Sequence, residues 1–161
     1  MPSGPAGEAL LLLRLVAAVA LAAALGWERE QAHKPAGLRT HMLVGLAAAL
    51  YTVLATLILD ERIGDSSVRG DPGRVIQAIA LGVGFLGGGV ISAGKQRGHV
   101  SGLTTAASIW STAAIGLAAG LGHFVLAVGA TVLQLVVLRV VARLERGAAG
   151  SGERKAVNGE R

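Results

Sequence analysis

From Gly82 to Gly120 the chain is apolar and almost free of charge, except at its centre, where Lys95-Gln96-Arg97-Gly98-His99 forms a short basic turn. The flanking segments are packed with Gly, Ala, Ser and Thr. An uncharged apolar run of about 20 residues is what a helix needs to cross a hydrocarbon core of about 30 Å. Two such runs around a basic turn read as two membrane-spanning helices folded back on each other, with the turn in the cytoplasm, where Lys and Arg collect. The remaining apolar segments are then helices that pack against this hairpin.

Composition agrees. Of 161 residues, 16% are charged and 52% apolar, against about 25% charged in an ordinary soluble domain. Mean hydropathy is +0.59. The expected fold class is an all-α membrane protein with five transmembrane helices. Aromatic residues are only 3% of the chain, which argues against a cofactor box of stacked rings, and no cofactor is expected. There is no Cys, hence no disulfide or thiolate metal site. The net charge of +5 comes with no nucleic-acid recognition motif, so nucleic acid is not an expected partner. Basic loops facing anionic lipid account for it.

Residues 1–7, small and polar, read as a disordered N-terminus, and no basic leader marks a cleaved signal peptide. Helix 1 is expected from about Glu8 to Trp27. Arg14 in its first half is costly there unless it snorkels or finds a partner. Trp27-Glu28-Arg29-Glu30 follows, with Trp27 suited to an interfacial anchor. Two Glu at a helix end oppose the helix dipole and need cationic partners, for which Arg29, Lys34 and Arg39 are near in sequence. The group is either a satisfied ion-pair cluster or a site for a cation or a partner's basic residue. Helix 2 is expected from about Thr40 to Leu59. His41, Gly45, Ala48, Ala49, Thr52 and Thr56 fall on one face, and Leu43, Leu46, Leu50, Leu54 and Leu57 on the other. The small face should look inward, with His41 at its head.

The polar stretch Asp60 to Arg74 ends in Asp71-Pro72, an N-cap followed by Pro at the first helical position. Helix 3 then runs to about Ala93. Gly84 and Gly88 share a face with Gln77, while Gly82 and Gly89 share the opposite one, so helix 3 is expected at the centre of the bundle. Gly82, Gly84 and Gly87 match the dinucleotide pattern G-x-G-x-x-G, but inside an apolar span without a preceding strand the match is spurious. Helix 4 is expected from about Gly102 to Leu121, with Thr104, Thr105, Ser108, Ser111 and Thr112 on an arc of about 120° and Trp110 pointing away. Such a stripe either hydrogen-bonds across helices or lines a polar path. Helix 5 is expected from about His123 to Val141, continuing past the membrane on Arg139, Arg143 and Arg146. Residues 8–146 form the membrane domain, and 147–161 a disordered cytoplasmic tail.

Lys and Arg number three in the first loop, two in the third and five from Arg143 onward, against three in the second loop beside four acids and none in the fourth. The positive-inside rule puts the N-terminus outside and the C-terminus in the cytoplasm. Gly37-Leu38-Arg39-Thr40 and Gly102-Leu103-Thr104-Thr105 each follow a basic turn and open a helix. This suggests two parallel-related hairpins, helices 1–2 and 3–4, plus a fifth helix. Two helix N-termini would then meet near Arg39 as an anion-binding corner.

Trp27-Glu28-Arg29-Glu30, the run Lys34 to Gly45, Asp71-Pro72-Gly73-Arg74, the run Gly82 to Ile91, and Gly102 to Trp110 through Ala113 to Gly116, in this order, resemble the MgtC/SapB family of bacterial inner-membrane proteins. The resemblance covers roughly Leu10 to Val141. It implies a five-helix inner-membrane domain with a role in adaptation to low magnesium and, in pathogens, survival inside host cells. Members are named for genetic association with a magnesium-transporting P-type ATPase. They are generally not held to transport magnesium themselves, and some bind other membrane proteins, including the membrane sector of ATP synthase. Many carry a soluble ACT-like domain after the helices, for which no room is expected after Arg146. Several virulence members have Asn where this chain has Thr104 and Cys where it has Ser111, so activities that need those groups are not implied.

No catalytic constellation or metal-ligand spacing is visible, and an enzyme is not expected. The leading expectation is a regulatory membrane protein that acts by contact with another integral membrane protein. The alternative is a small magnesium, ion or solute transporter working as an oligomer. Candidate interaction residues are Glu28, Arg29, Glu30, Arg39, His41, Asp71, Arg74, Gln77, Thr104, Thr105 and Ser108. Gly82, Gly84, Gly88, Gly116 and Gly120 are candidate packing residues, and Gly116 and Gly120 would suit a homodimer seam.

Overall fold

The computed structural model describes residues 4–61, 71–93 and 101–142. Five α-helices follow one another: α1 (Pro5–Gln31), α2 (Leu38–Glu61), α3 (Pro72–Ala93), α4 (Leu103–Gly120) and α5 (Phe124–Val136), the last continuing as a π-helical segment over Val137–Val141. All five are long and apolar enough to span a bilayer. Among the described residues there is no strand. The basic turn at Lys95–His99 and the tail from 147 onward lie outside the described residues.

The boundaries follow local chemistry. α1 starts at Pro5 rather than Glu8, because Pro is pre-organised for a first helical position. It runs past Trp27 to Gln31, so Glu28, Arg29 and Glu30 form its last turn. Asp71 caps α3 by accepting the Gly73 N–H at 2.9 Å. Gly102 enters α4 with φ +88°, a left-handed conformation that glycine adopts without steric cost.

α4 is the hub. More than half of its span is buried, at 56%, whereas 6% of the α3 span is. It packs on α2, α3, α1 and α5, while α2 and α3 touch each other least of the packed pairs. The expectation that α3 is central is therefore corrected. A Cβ added to Gly82, Gly84, Gly88 or Gly89 would meet nothing within 4 Å, and only Gly87 approaches a neighbour, Ala106 on α4. Small residues permit close approach, but among the described residues no second helix comes close enough to use it at these glycines.

The close approaches belong to α2 and α4. A Cβ on Gly120 would sit 2.7 Å from the Ala49 carbonyl oxygen, and one on Gly116 3.0 Å from Gly45 Cα. Gly45 is pressed equally by Ala22 of α1, at 2.7 Å. Gly116 and Gly120 thus serve contacts inside the chain, which corrects their assignment to a homodimer seam. The small face of α2 looks inward as expected. His41, Ala48, Ala49 and Thr52 are buried, while Leu43, Leu50 and Leu54 are exposed to the lipid side.

Arg14 finds a partner. Its Nη1 donates to the Gly120 carbonyl at 3.2 Å, placing a cation on the C-terminus of α4, where the helix dipole favours one.

Candidate functional site

At the end of the bundle where α1 passes into α2, buried polar side chains converge. Glu28 and Arg29 are 8% and 3% exposed. The Arg29 guanidinium grips the Glu28 carboxylate with two donors, Nε on Oε2 and Nη2 on Oε1, the latter at 2.8 Å. Neighbouring residues on a helix do not face each other, so the pair forms by the two long side chains turning toward one another.

Glu30 finds a different partner. Its Oε2 accepts the main-chain N–H of Leu38 at 2.7 Å. It thereby occupies the free N-terminus of α2 with a carboxylate, the charge that end favours. The anion-binding corner expected near Arg39 is thus held at α2 by the chain's own carboxylate. Arg39 itself is exposed. Gly37 lies under Glu30 so closely that a Cβ there would be 2.7 Å from Oε2.

His41, fully buried in the first turn of α2, bridges to α4. Its Nδ1 lies 2.9 Å from the Gly37 carbonyl oxygen, and its Nε2 lies 2.9 Å from Ser108 Oγ on α4. A carbonyl only accepts, so Nδ1 carries the hydrogen. In the neutral ring Nε2 then accepts from the Ser108 hydroxyl. Ser108 Oγ in turn accepts from Gln134 Nε2 on α5 at 3.2 Å, and the same amide donates to the Ser108 carbonyl at 3.2 Å. The row runs Gln134 to Ser108 to His41 to Gly37, every donor pointing the same way. It ties three helices together across their sequence separation.

Gln134 carried no expectation from the sequence. The signal was available: a single amide inside an apolar helix is costly unless it is paired. Its Oε1 is buried without a partner among the described residues.

The hydroxyl stripe of α4 is used less than expected. Thr105 and Thr112 are buried, Ser111 is half-buried and Thr104 is exposed. Thr112 and Ser111 both donate back to the Ser108 carbonyl of their own helix. Ser108 alone of the stripe hydrogen-bonds to another helix through the bonds described.

Asp71 and Arg74 lie at the opposite end of the bundle, because α2 carries the chain across before α3 begins. They are exposed and 3.9 Å apart. Gln77 is exposed on α3. The structure therefore gathers Glu28, Arg29, Glu30, His41 and Ser108 into one junction and leaves Asp71, Arg74, Gln77, Arg39 and Thr104 outside it. Among the described residues no three His, Asp or Glu side chains group as a metal site.

The model of the MgtC family matches residues 15–147, which takes in the larger part of the first span, the other four spans and the junction. The chain belongs to the MgtC family. It is 39% identical over 133 residues to YhiD of Escherichia coli K12, whose name proposes a magnesium transporter, covering 83% of this chain and 61% of that protein. It is 41% identical over 124 residues to Protein MgtC of Salmonella typhimurium LT2, covering 77% of this chain and 49% of that one. To Protein SrpB of Synechococcus elongatus it is 38% identical over 151 residues, covering 88% and 81%. The chain thus spans about half to three fifths of the length of several curated relatives it matches. No solved structure matches it. As a member of the MgtC family with five candidate spans, it is a multi-pass bacterial membrane protein.

Proposed function

We propose that this MgtC-family chain is a membrane-embedded binding protein of magnesium adaptation, acting by contact with another integral membrane protein. The carrying observation is the face of α3. Gly84 and Gly88, one turn apart, have open space above them, and Leu81 and Phe85 beside them are 79% and 83% exposed. In lipid, helices associate through small residues that let backbones approach. A face of this kind, left unused by its own bundle, suits a helix of a second protein. The family resemblance suggests the membrane sector of ATP synthase or a P-type ATPase as the partner. The link to magnesium rests on the names of the relatives, YhiD among them. The distribution of Lys and Arg supports an N-terminus outside and a C-terminus in the cytoplasm of an inner membrane. With that orientation the Glu28–Arg29–His41 junction lies at the cytoplasmic end.

A second reading, a conduit for an ion or solute, is favoured by the polar row from His41 to Gln134. It weighs less, because magnesium prefers oxygen ligands and sheds water reluctantly, and the row of imidazole, hydroxyl and amide carries no carboxylate to offset that cost.

A photoreactive residue placed at Phe85 in native membranes tests the main reading. The expected product is an adduct with a different integral membrane protein, lost in Gly84→Leu. An adduct of two copies of this chain, or with lipid alone, contradicts it.

A further inference from the structure

Between α2 and α3, the pair that touches least, a lateral groove of about 850 Å³ opens to the bilayer. Tyr51, Ala55 and Ile58 line it from α2, and Val75, Ile79 and Gly82 from α3. On α3 the lining extends from Arg74 to Leu86, a rise of about 18 Å along the helix. On α2 it extends from Leu43 to Ile58, about 22 Å, so the groove runs along more than half of a hydrocarbon core of about 30 Å. Its walls are almost wholly apolar, and among the described residues its only charged lining residue is Arg74, at the shallow end.

Two further observations bear on what fills it. Gly84 and Gly88, where another helix could approach closely, do not line the groove, so it is separate from the face assigned above to a protein partner. Among the described residues the charges at its mouth come as a pair. Arg74 stands one turn after Asp71 on the same side of α3, both exposed and 3.9 Å apart, too far for a hydrogen bond between them. Asp71 is fixed by capping Gly73. A guanidinium beside a carboxylate complements a phosphate beside an ammonium.

We propose that the α2–α3 groove is a phospholipid seat. It takes an acyl chain of a phosphatidylethanolamine along its apolar walls, with the headgroup phosphate on Arg74 and the ammonium on Asp71. The Arg74 guanidinium can offer a phosphate two parallel donors, and the hydrocarbon fills a gap that side chains of α2 and α3 leave open. The seat does not depend on the partner-binding reading and stands or falls separately from it.

The test uses the full chain reconstituted in phosphatidylcholine vesicles with trace chain-spin-labelled phosphatidylethanolamine, phosphatidylglycerol or phosphatidylcholine. Electron paramagnetic resonance reads the motionally restricted fraction of each. The expected result is about threefold preference for phosphatidylethanolamine over both others, the size an exposed charge contact supplies. Arg74→Gln together with Asp71→Asn, exposed changes that keep a capping side chain at position 71, should bring the three to equality. Gly82→Leu, whose side chain enters open space, should lower the restricted fraction for all three. Equal restriction of the three lipids by the wild type, a preference that survives the Asp71→Asn, Arg74→Gln pair, or a restricted fraction unmoved by Gly82→Leu in folded protein overturns the proposal.

Discussion

Ser108 is the residue through which three helices meet. Replacing it with Ala removes the donor to His41 Nε2 and the side-chain acceptor of Gln134. A buried group left unpaired costs about 1–3 kcal/mol, so Ser108→Ala should lower the thermal midpoint of the purified protein. In a double-mutant cycle His41→Ala and Ser108→Ala should couple by about 0.6–1.7 kcal/mol, the range found for hydrogen bonds between membrane helices. Glu28 makes a sharper case. The sequence leaves open whether Glu28→Gln spares folding. With the carboxylate gripped by a buried Arg29, removing it strands a charge, at a cost of about 3–5 kcal/mol. Glu28→Gln should therefore deplete the protein from the membrane, and Glu28→Gln with Arg29→Gln together should restore it, as read by immunoblot of membrane fractions. Much of this junction was legible: period 3.6 put His41 at the head of an inward face, and dipole reasoning said that Glu28 and Glu30 needed partners. Arg29, one of the cations named for them, does answer Glu28, but the partner of Glu30 was not legible. Glu30 is answered by a main-chain N–H eight residues on, and residue types do not show which way a side chain turns.

Among the elements, α3 and α4 exchange the roles their sequences suggest. Glycines on two sides of α3 signalled capacity for contact, and the sequence cannot say whether the neighbour comes from the same chain. α4 looked like one arm of a hairpin and is instead the helix packed on four others. Leucine substitutions separate the two. In Gly116→Leu the side chain would run into the α2 backbone at Gly45, which cannot yield as a side-chain tip can. The cost should reach or exceed the roughly 1–3 kcal/mol of ordinary overpacking. Gly84→Leu meets open space and should change stability by no more than about 0.5 kcal/mol. Thermal unfolding in detergent checks both. Equal loss of stability in the two would mean that α3 is packed as tightly as α4.

For the whole molecule, hydropathy and loop charge were enough to give five spans and their approximate limits, because the bilayer fixes helix length. They could not give the order of packing, which depends on pairs such as Gly45 with Gly116 and Arg14 with the end of α4, more than 70 residues apart in sequence. The arrangement that results has a closed interior of α1, α2 and α4 and an open flank at α3. On the proposed reading it holds onto something in the membrane rather than passing something through it. That claim is tested most directly by measuring magnesium and monovalent cation flux in proteoliposomes containing only this protein, with Gln134→Leu, which cuts the polar row, alongside the wild type. The account predicts no selective flux from either, with both shown to be folded. Selective flux through the wild type that falls in Gln134→Leu would contradict it and make the row from His41 to Gln134 a path.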